Sequence, residues 1–135
     1  MAGGVMYLVD TNIWLERLLD QAKSEEVGRF LSDTPPNQLI ISDFSLHSIG
    51  VILDRLDKQA VFAEFVDDVL IQGGVALRNV PPDLMRRLVD VIDAFKLDFD
   101  DAYQYVVAER TQATIVSFDK DFDRTSLGRK SPERV

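Results

Sequence analysis

The chain has no cysteine and only one histidine, His47. Disulfides, zinc–thiolate sites and cysteine nucleophiles are thereby excluded, and any bound metal must rely on oxygen ligands or on that single imidazole. Long apolar stretches are missing too. The longest runs, such as Val5 to Val9, fall far short of the roughly 20 residues that a membrane span needs. No positive-then-apolar leader precedes them, so a cytoplasmic protein with no membrane association is expected. Positive charge is scarce: 15 Lys and Arg face 23 Asp and Glu, for a formal net charge of -8. That balance argues at first sight against a nucleic-acid partner, because phosphate binding draws on Lys and Arg. Glutamate is also rare, since the acidic residues divide into 17 Asp and 6 Glu. Short carboxylates suit turns, helix caps and hard-cation sites better than helix faces, and capping accounts for most of them.

What is present fits one domain. A chain of 135 residues with 46% apolar and 28% charged side chains has ordinary globular composition and enough length for a single core. Val5-Met6-Tyr7-Leu8-Val9 is short, apolar and unbroken, as a strand buried on both faces should be, and it stops at Asp10-Thr11-Asn12. Ile13, Trp14, Leu15, Leu18, Leu19, Val27, Phe30 and Leu31 then recur at helical spacing, which fits two helices before Pro35-Pro36. Leu39 to Ser42 reads as a second strand, and Asp43 or Ser45 is placed to cap a helix bearing Leu46, Ile49, Ile52, Leu53 and Leu56. Val61 to Leu70 predicts a further amphipathic helix closed by Gly73-Gly74, and Val75 to Val80 a third strand. After Pro81-Pro82, Leu84, Leu88, Val91, Ile92 and Phe95 follow at helical intervals, another helix opens at Phe99-Asp100-Asp101-Ala102, and Thr114 to Phe118 is a last strand ending at Asp119. Strands alternating with helices predict an α/β protein, a three-layer α/β/α sandwich with a central parallel sheet. The whole of 1–135 is read as one domain, with a basic, loosely ordered tail over 124–135.

In an open parallel sheet, ligands bind beyond the carboxyl ends of the strands. Asp10 follows the first strand, Asp43 the second and Asp119 the last, so the three are expected on one edge. Asp100 and Asp101 project onto it if their helix begins there. Carboxylates brought this close repel one another, and a hard cation such as Mg²⁺ or Mn²⁺ offsets that repulsion. Taken singly, each Asp is better explained as a helix cap. The coincidence of strand ends favours a ligand and catalytic role for Asp10 and Asp119, and for Asp101 beside them. Asp43, Asp100 and Asp121 read as caps or supporting groups.

Three segments carry a family resemblance: Leu8-Val9-Asp10-Thr11-Asn12-Ile13-Trp14, Leu97-Asp98-Phe99-Asp100-Asp101-Ala102 and Val116-Ser117-Phe118-Asp119-Lys120-Asp121-Phe122. In this order they resemble a PIN domain over nearly the whole chain, and in particular the VapC-type toxins of toxin–antitoxin pairs. The resemblance implies a Mg²⁺-dependent endoribonuclease whose acidic positions match Asp10, Asp101 and Asp119, with Thr11 and Asn12 supporting the first. It also implies an RNA substrate, a cognate antitoxin and a homodimer. One position departs from the pattern. The family's helix after the second strand usually carries a Glu, and counting from Ser42 puts Ser48 there. Either Asp43 substitutes for it, or the site binds metal weakly, or the protein is an inactive binding module that keeps the fold.

A phosphatase of the haloacid-dehalogenase kind also places Asp after a first strand, but it needs a second Asp two residues on, where this chain has Asn12. Arg78, Arg86, Arg87 and the basic tail are candidates for phosphate contacts, although solvated surface charge explains each of them as well. His47 is expected to be a partly buried structural residue, and Trp14 a core residue.

Overall fold

The computed structural model describes residues 4–135. Four short strands, β1 (Met6–Val9), β2 (Leu39–Ser42), β3 (Ala76–Arg78) and β4 (Ala113–Val116), form one sheet in the order β3-β2-β1-β4, with every pair parallel. Parallel neighbours need long crossovers, and helices supply them. Helices α1 (Thr11–Leu18) and α2 (Ser24–Asp33) link β1 to β2, and α3 (Asp43–Arg55) and α4 (Gln59–Phe65) link β2 to β3. Helices α5 (Met85–Phe95) and α6 (Phe99–Thr111) then lead to β4.

The pleat divides the core in two. Leu8 pairs with Ile40 on one side and Ile115 on the other, and all three point to the face covered by Leu88 and Val91 of α5 and by α6. Val9, Leu39, Ile41 and Val116 point the opposite way, against Ile13 and Trp14 of α1, Val27 and Phe30 of α2, Ile49 and Leu53 of α3 and Phe65 of α4. The result is the expected α/β/α sandwich. Each fully buried side chain of this kind contributes about 1.5–3 kcal/mol relative to exposure, and a one-residue register slip would exchange the two sets. Trp14 belongs to the core, where its indole N–H donates to the Val9 carbonyl at 3.2 Å.

Several boundaries differ from the sequence reading. The third strand is only Ala76–Arg78, with Val75 and Val80 buried on either side of it. The helix expected through Leu70 gives way at Val66 to a wider π-helical turn over Val66–Ile71. Gly73 follows because a Cβ there would lie 2.4 Å from the Asp68 carbonyl oxygen. Neither Asp43 nor Ser45 caps α3; the Ser42 hydroxyl does, accepting from the Ser45 N–H at 3.0 Å. The segment after Arg124 is more closely tied than its composition suggested. Lys130 N–H donates to Ile115 O and Ser117 N–H to Lys130 O along the outer side of β4, and Pro132 is buried. Among the described residues, no helix is long and apolar enough to cross a membrane.

Strand β1 has β2 on one side and β4 on the other, with the crossover to β2 packed on one face of the sheet and the helices leading to β4 on the other. Loops at the carboxyl ends of β1 and β4 therefore diverge and leave a crevice, the usual location of an α/β ligand site.

Candidate active site

Asp10 ends β1 and caps α1 through the Thr11 N–H, 2.8 Å from its Oδ1. It is 6% exposed, and two further donors hold it: Gln104 Nε2 at 2.8 Å from Oδ1 and Ser117 Oγ at 2.7 Å from Oδ2. Burial pushes the Asp10 carboxyl above the ordinary carboxylate range, while these hydrogen bonds pull it back. Gln104, 1% exposed on α6, ties the three neighbouring elements together. Its Nε2 also donates to Ser45 Oγ at 2.7 Å, and its Oε1 accepts from Ser42 Oγ at 2.5 Å. Thr11 joins through its hydroxyl, 2.8 Å from Ser45 Oγ. Asn12 fastens the loop after β4 by donating to Ser117 Oγ at 3.3 Å and accepting from the Phe118 N–H at 3.3 Å.

Asp119 lies three residues beyond β4 and caps a 3₁₀ turn, accepting from the Asp121 N–H at 2.8 Å, while its own N–H donates to Ser117 Oγ at 2.9 Å. Capping and convergence are thus both true of Asp10 and Asp119. Asp101, in the first turn of α6, meets them from the other side of the crevice. Its carboxyl is pushed up to about 8, first by desolvation and then by the adjacent Asp119, Asp10 and Asp100. Carboxylate oxygens of Asp101, Asp119 and Asp121 lie within 4.8 Å of one another. The donors are hard oxygens, and no Lys or Arg lines the cleft that holds Asp10, Asp101 and Asp119, so the residues present fit a divalent cation such as Mg²⁺ or Mn²⁺.

Asp10, Asp101 and Asp119 line one cleft of about 300 Å³, together with Thr11, Asn12, Asp100, Gln104 and an α3 wall of Phe44, Ser48 and Ile52. Ser48 therefore faces the acids with a hydroxyl. Asp43 does not make up for it, because its Oδ1 accepts from Tyr103 Oη at 2.7 Å outside the cleft lining. Asp121 sits at the outer end of the cluster and pairs with Arg124 at 2.9 Å. The other proposed cations are spent elsewhere. Arg87 forms a bidentate pair with Glu109, Arg129 pairs with Asp123, and Arg78 and Arg86 do not line the cleft. His47 is exposed on α3 rather than partly buried.

Sequence reasoning missed Gln104. The available signal was its place three residues after Asp101, on the same side of one helix. Ser117 was visible in its motif, but its bond to Asp10 was not.

The family model for the PIN domain matches residues 7–127. A comparison with curated protein sequences gives no significant match. Among solved structures, the chain is similar to the Mycobacterium tuberculosis toxin VapC20, with 20% identity, a TM-score of 0.75 and coverage of 90% of this chain and 95% of that one. It is similar to a toxin–antitoxin complex from Klebsiella pneumoniae, with 19% identity, a TM-score of 0.74 and coverage of 93% and 97%. It is also similar to FitAcB from Neisseria gonorrhoeae, with 18% identity, a TM-score of 0.75 and coverage of 96% and 100%. With a family match spanning nearly its full length, around a cleft that gathers two strand-end aspartates and a third from α6, the chain belongs to the PIN-domain family.

Proposed function

We propose that this protein is a metal-dependent endoribonuclease that hydrolyses RNA phosphodiester bonds in the cytoplasm, as the toxin of a toxin–antitoxin pair. The observation that carries the reading is the convergence of Asp10, Asp101 and Asp119 in one cleft at the crevice beside β1. The neighbours support it: VapC20 is described as a toxin that cleaves the sarcin–ricin loop, and the Klebsiella structure as a toxin–antitoxin complex. A short antitoxin and a second copy of the chain are the protein partners this reading implies.

Asp10, Asp101 and Asp119 would hold Mg²⁺ or Mn²⁺, with Asp121 at the outer side. Bound there, the ion supplies charge neutralisation at a phosphoryl group and lowers the pKa of water. Asp10 serves as the fixed wall, since three donors leave its carboxylate no freedom to turn. Asn12 and Ser117 keep the Asp119 loop against β1, so that the two strand-end carboxylates retain their spacing. Asp101 closes the cleft from α6. Incubation of the protein with structured RNAs and Mg²⁺ is expected to give cleavage that EDTA and Asp10→Asn both abolish. Equal cleavage by Asp10→Asn and the unaltered chain would remove the proposal.

A second reading, a PIN-fold binding module without turnover, draws on Ser48 in the cleft wall. Ser48→Glu discriminates the two. An active enzyme that already has three carboxylates in the cleft should gain about tenfold in Mn²⁺ affinity, read as a lower half-saturating concentration in thermal-shift titrations, and keep or raise its cleavage rate. Cleavage that appears only in Ser48→Glu would identify the natural chain as the binding module.

A further inference from the structure

A row of aromatic rings runs outward from Phe44 in the cleft wall to the start of α6. Phe99, the first residue of α6, is 52% exposed, and its ring centroid lies 6.2 Å from that of Tyr103 with a 36° interplanar angle. Tyr103 in turn lies 5.6 Å from Phe44, again at 36°, and Phe44 lines the cleft itself. The middle ring is pinned, because Tyr103 Oη donates to Asp43 and accepts from the Val80 N–H at 3.0 Å. A lone exposed phenylalanine is ordinary. Here the inner end of the row, Phe44, stands in a cleft lined by Asp100 and Asp101 and by no Lys or Arg. Phosphate contacts are therefore poor, and an RNA strand entering the cleft needs an uncharged means of grip. Aromatic faces supply it, since any unpaired base has a π-face to stack.

We propose that Phe99, joined to the cleft wall through Tyr103 and Phe44, is a stacking platform for one unpaired nucleobase of a strand that leaves the cleft on this side. This rests on the ribonuclease reading for the identity of the ligand, and it makes the substrate a single strand or loop. A base paired in a duplex keeps its faces against its neighbours and cannot occupy the platform.

The test is a short single-stranded RNA carrying 2-aminopurine, and the same strand annealed to its complement, titrated with the full chain in Ca²⁺. The single strand is expected to bind with quenching of 2-aminopurine. Base–aromatic stacking is worth roughly 5- to 150-fold in affinity, so Phe99→Ala should weaken single-strand binding about tenfold and abolish the quenching, while Phe99→Tyr restores both. Duplex binding should be unchanged. Phe99→Ala equal to the parent on the single strand, equal losses on single strand and duplex, no RNA binding by the parent, or a change in sedimentation mass with RNA affinity intact would each overturn the platform. The last of these would assign the ring to a protein interface. Melting curves check that Phe99→Ala is folded. Binding that depends on Phe99 without cleavage in Mg²⁺ or Mn²⁺ sinks the ribonuclease reading alone, and cleavage indifferent to Phe99 sinks the platform alone.

Discussion

Replacing Asp101 by Asn is expected to act in opposite directions on activity and on stability. Cleavage should fall by roughly 100-fold or more, because a ligand carboxylate is lost from the cluster. The metal-free protein should nevertheless melt higher at pH 8, since the amide imitates the neutral form that the fold prefers. In the unfolded chain Asp101 ionises near pH 4, whereas in the folded chain its carboxyl is pushed up to about 8 by desolvation and by Asp119. Between those values the native state holds the extra proton. Stability from this group is full below about pH 4 and declines as the pH rises towards 8. The side chain is partly exposed, so solvent screening leaves only part of this effect, a drop in melting temperature of roughly 5 °C between pH 5 and pH 8. Mn²⁺ should reverse that drop in the parent and do little for Asp101→Asn. Scanning calorimetry at both pH values checks this, and a parent whose melting point rises with pH in the absence of metal would contradict it.

Gln104→Leu is expected to be the most destabilising conservative change near the site. The substitution keeps the bulk of the side chain and deletes one hydrogen-bond partner from each of three buried groups at once: the Asp10 carboxylate, the Ser45 hydroxyl and the Ser42 hydroxyl. The loss of three buried hydrogen bonds costs about 2–4 kcal/mol here, a fall of roughly 10 °C for a domain of this size. Cleavage should fall with it, because Asp10 loses one of the three donors that fix its orientation. A melting point within 2 °C of the parent would show that the network does not hold these elements together.

The strand-end acids were legible because buried parallel strands write themselves as unbroken apolar runs, and the residue that breaks the run marks the sheet edge. Asp10 and Asp119 follow from that rule, and Asp101 from the start of α6. Side-chain direction was not legible. Asp43 sits next to β2 as expected, but Tyr103, sixty residues further along the chain, takes its carboxylate outside the cleft lining. Gln104 stayed hidden for a related reason. Helix α6 is buried on all sides from Ala102 to Ala108, so it lacks the amphipathic rhythm that separates an inward amide from a solvated one. The partners of the tail's cations were not legible, because a basic composition says nothing of them: Arg124 reaches the carbonyls of Phe95 and Lys96, and Arg129 that of Ser117.

Strand β4 is an outermost strand, and its free side would otherwise present unpaired amides and carbonyls to any extended peptide. The Lys130 bridge occupies the Ile115 carbonyl and the Ser117 amide on that side. The Lys130 segment thus acts as a stop for lateral growth of the sheet on that side, and it keeps foreign strands from docking a few residues away from Asp119.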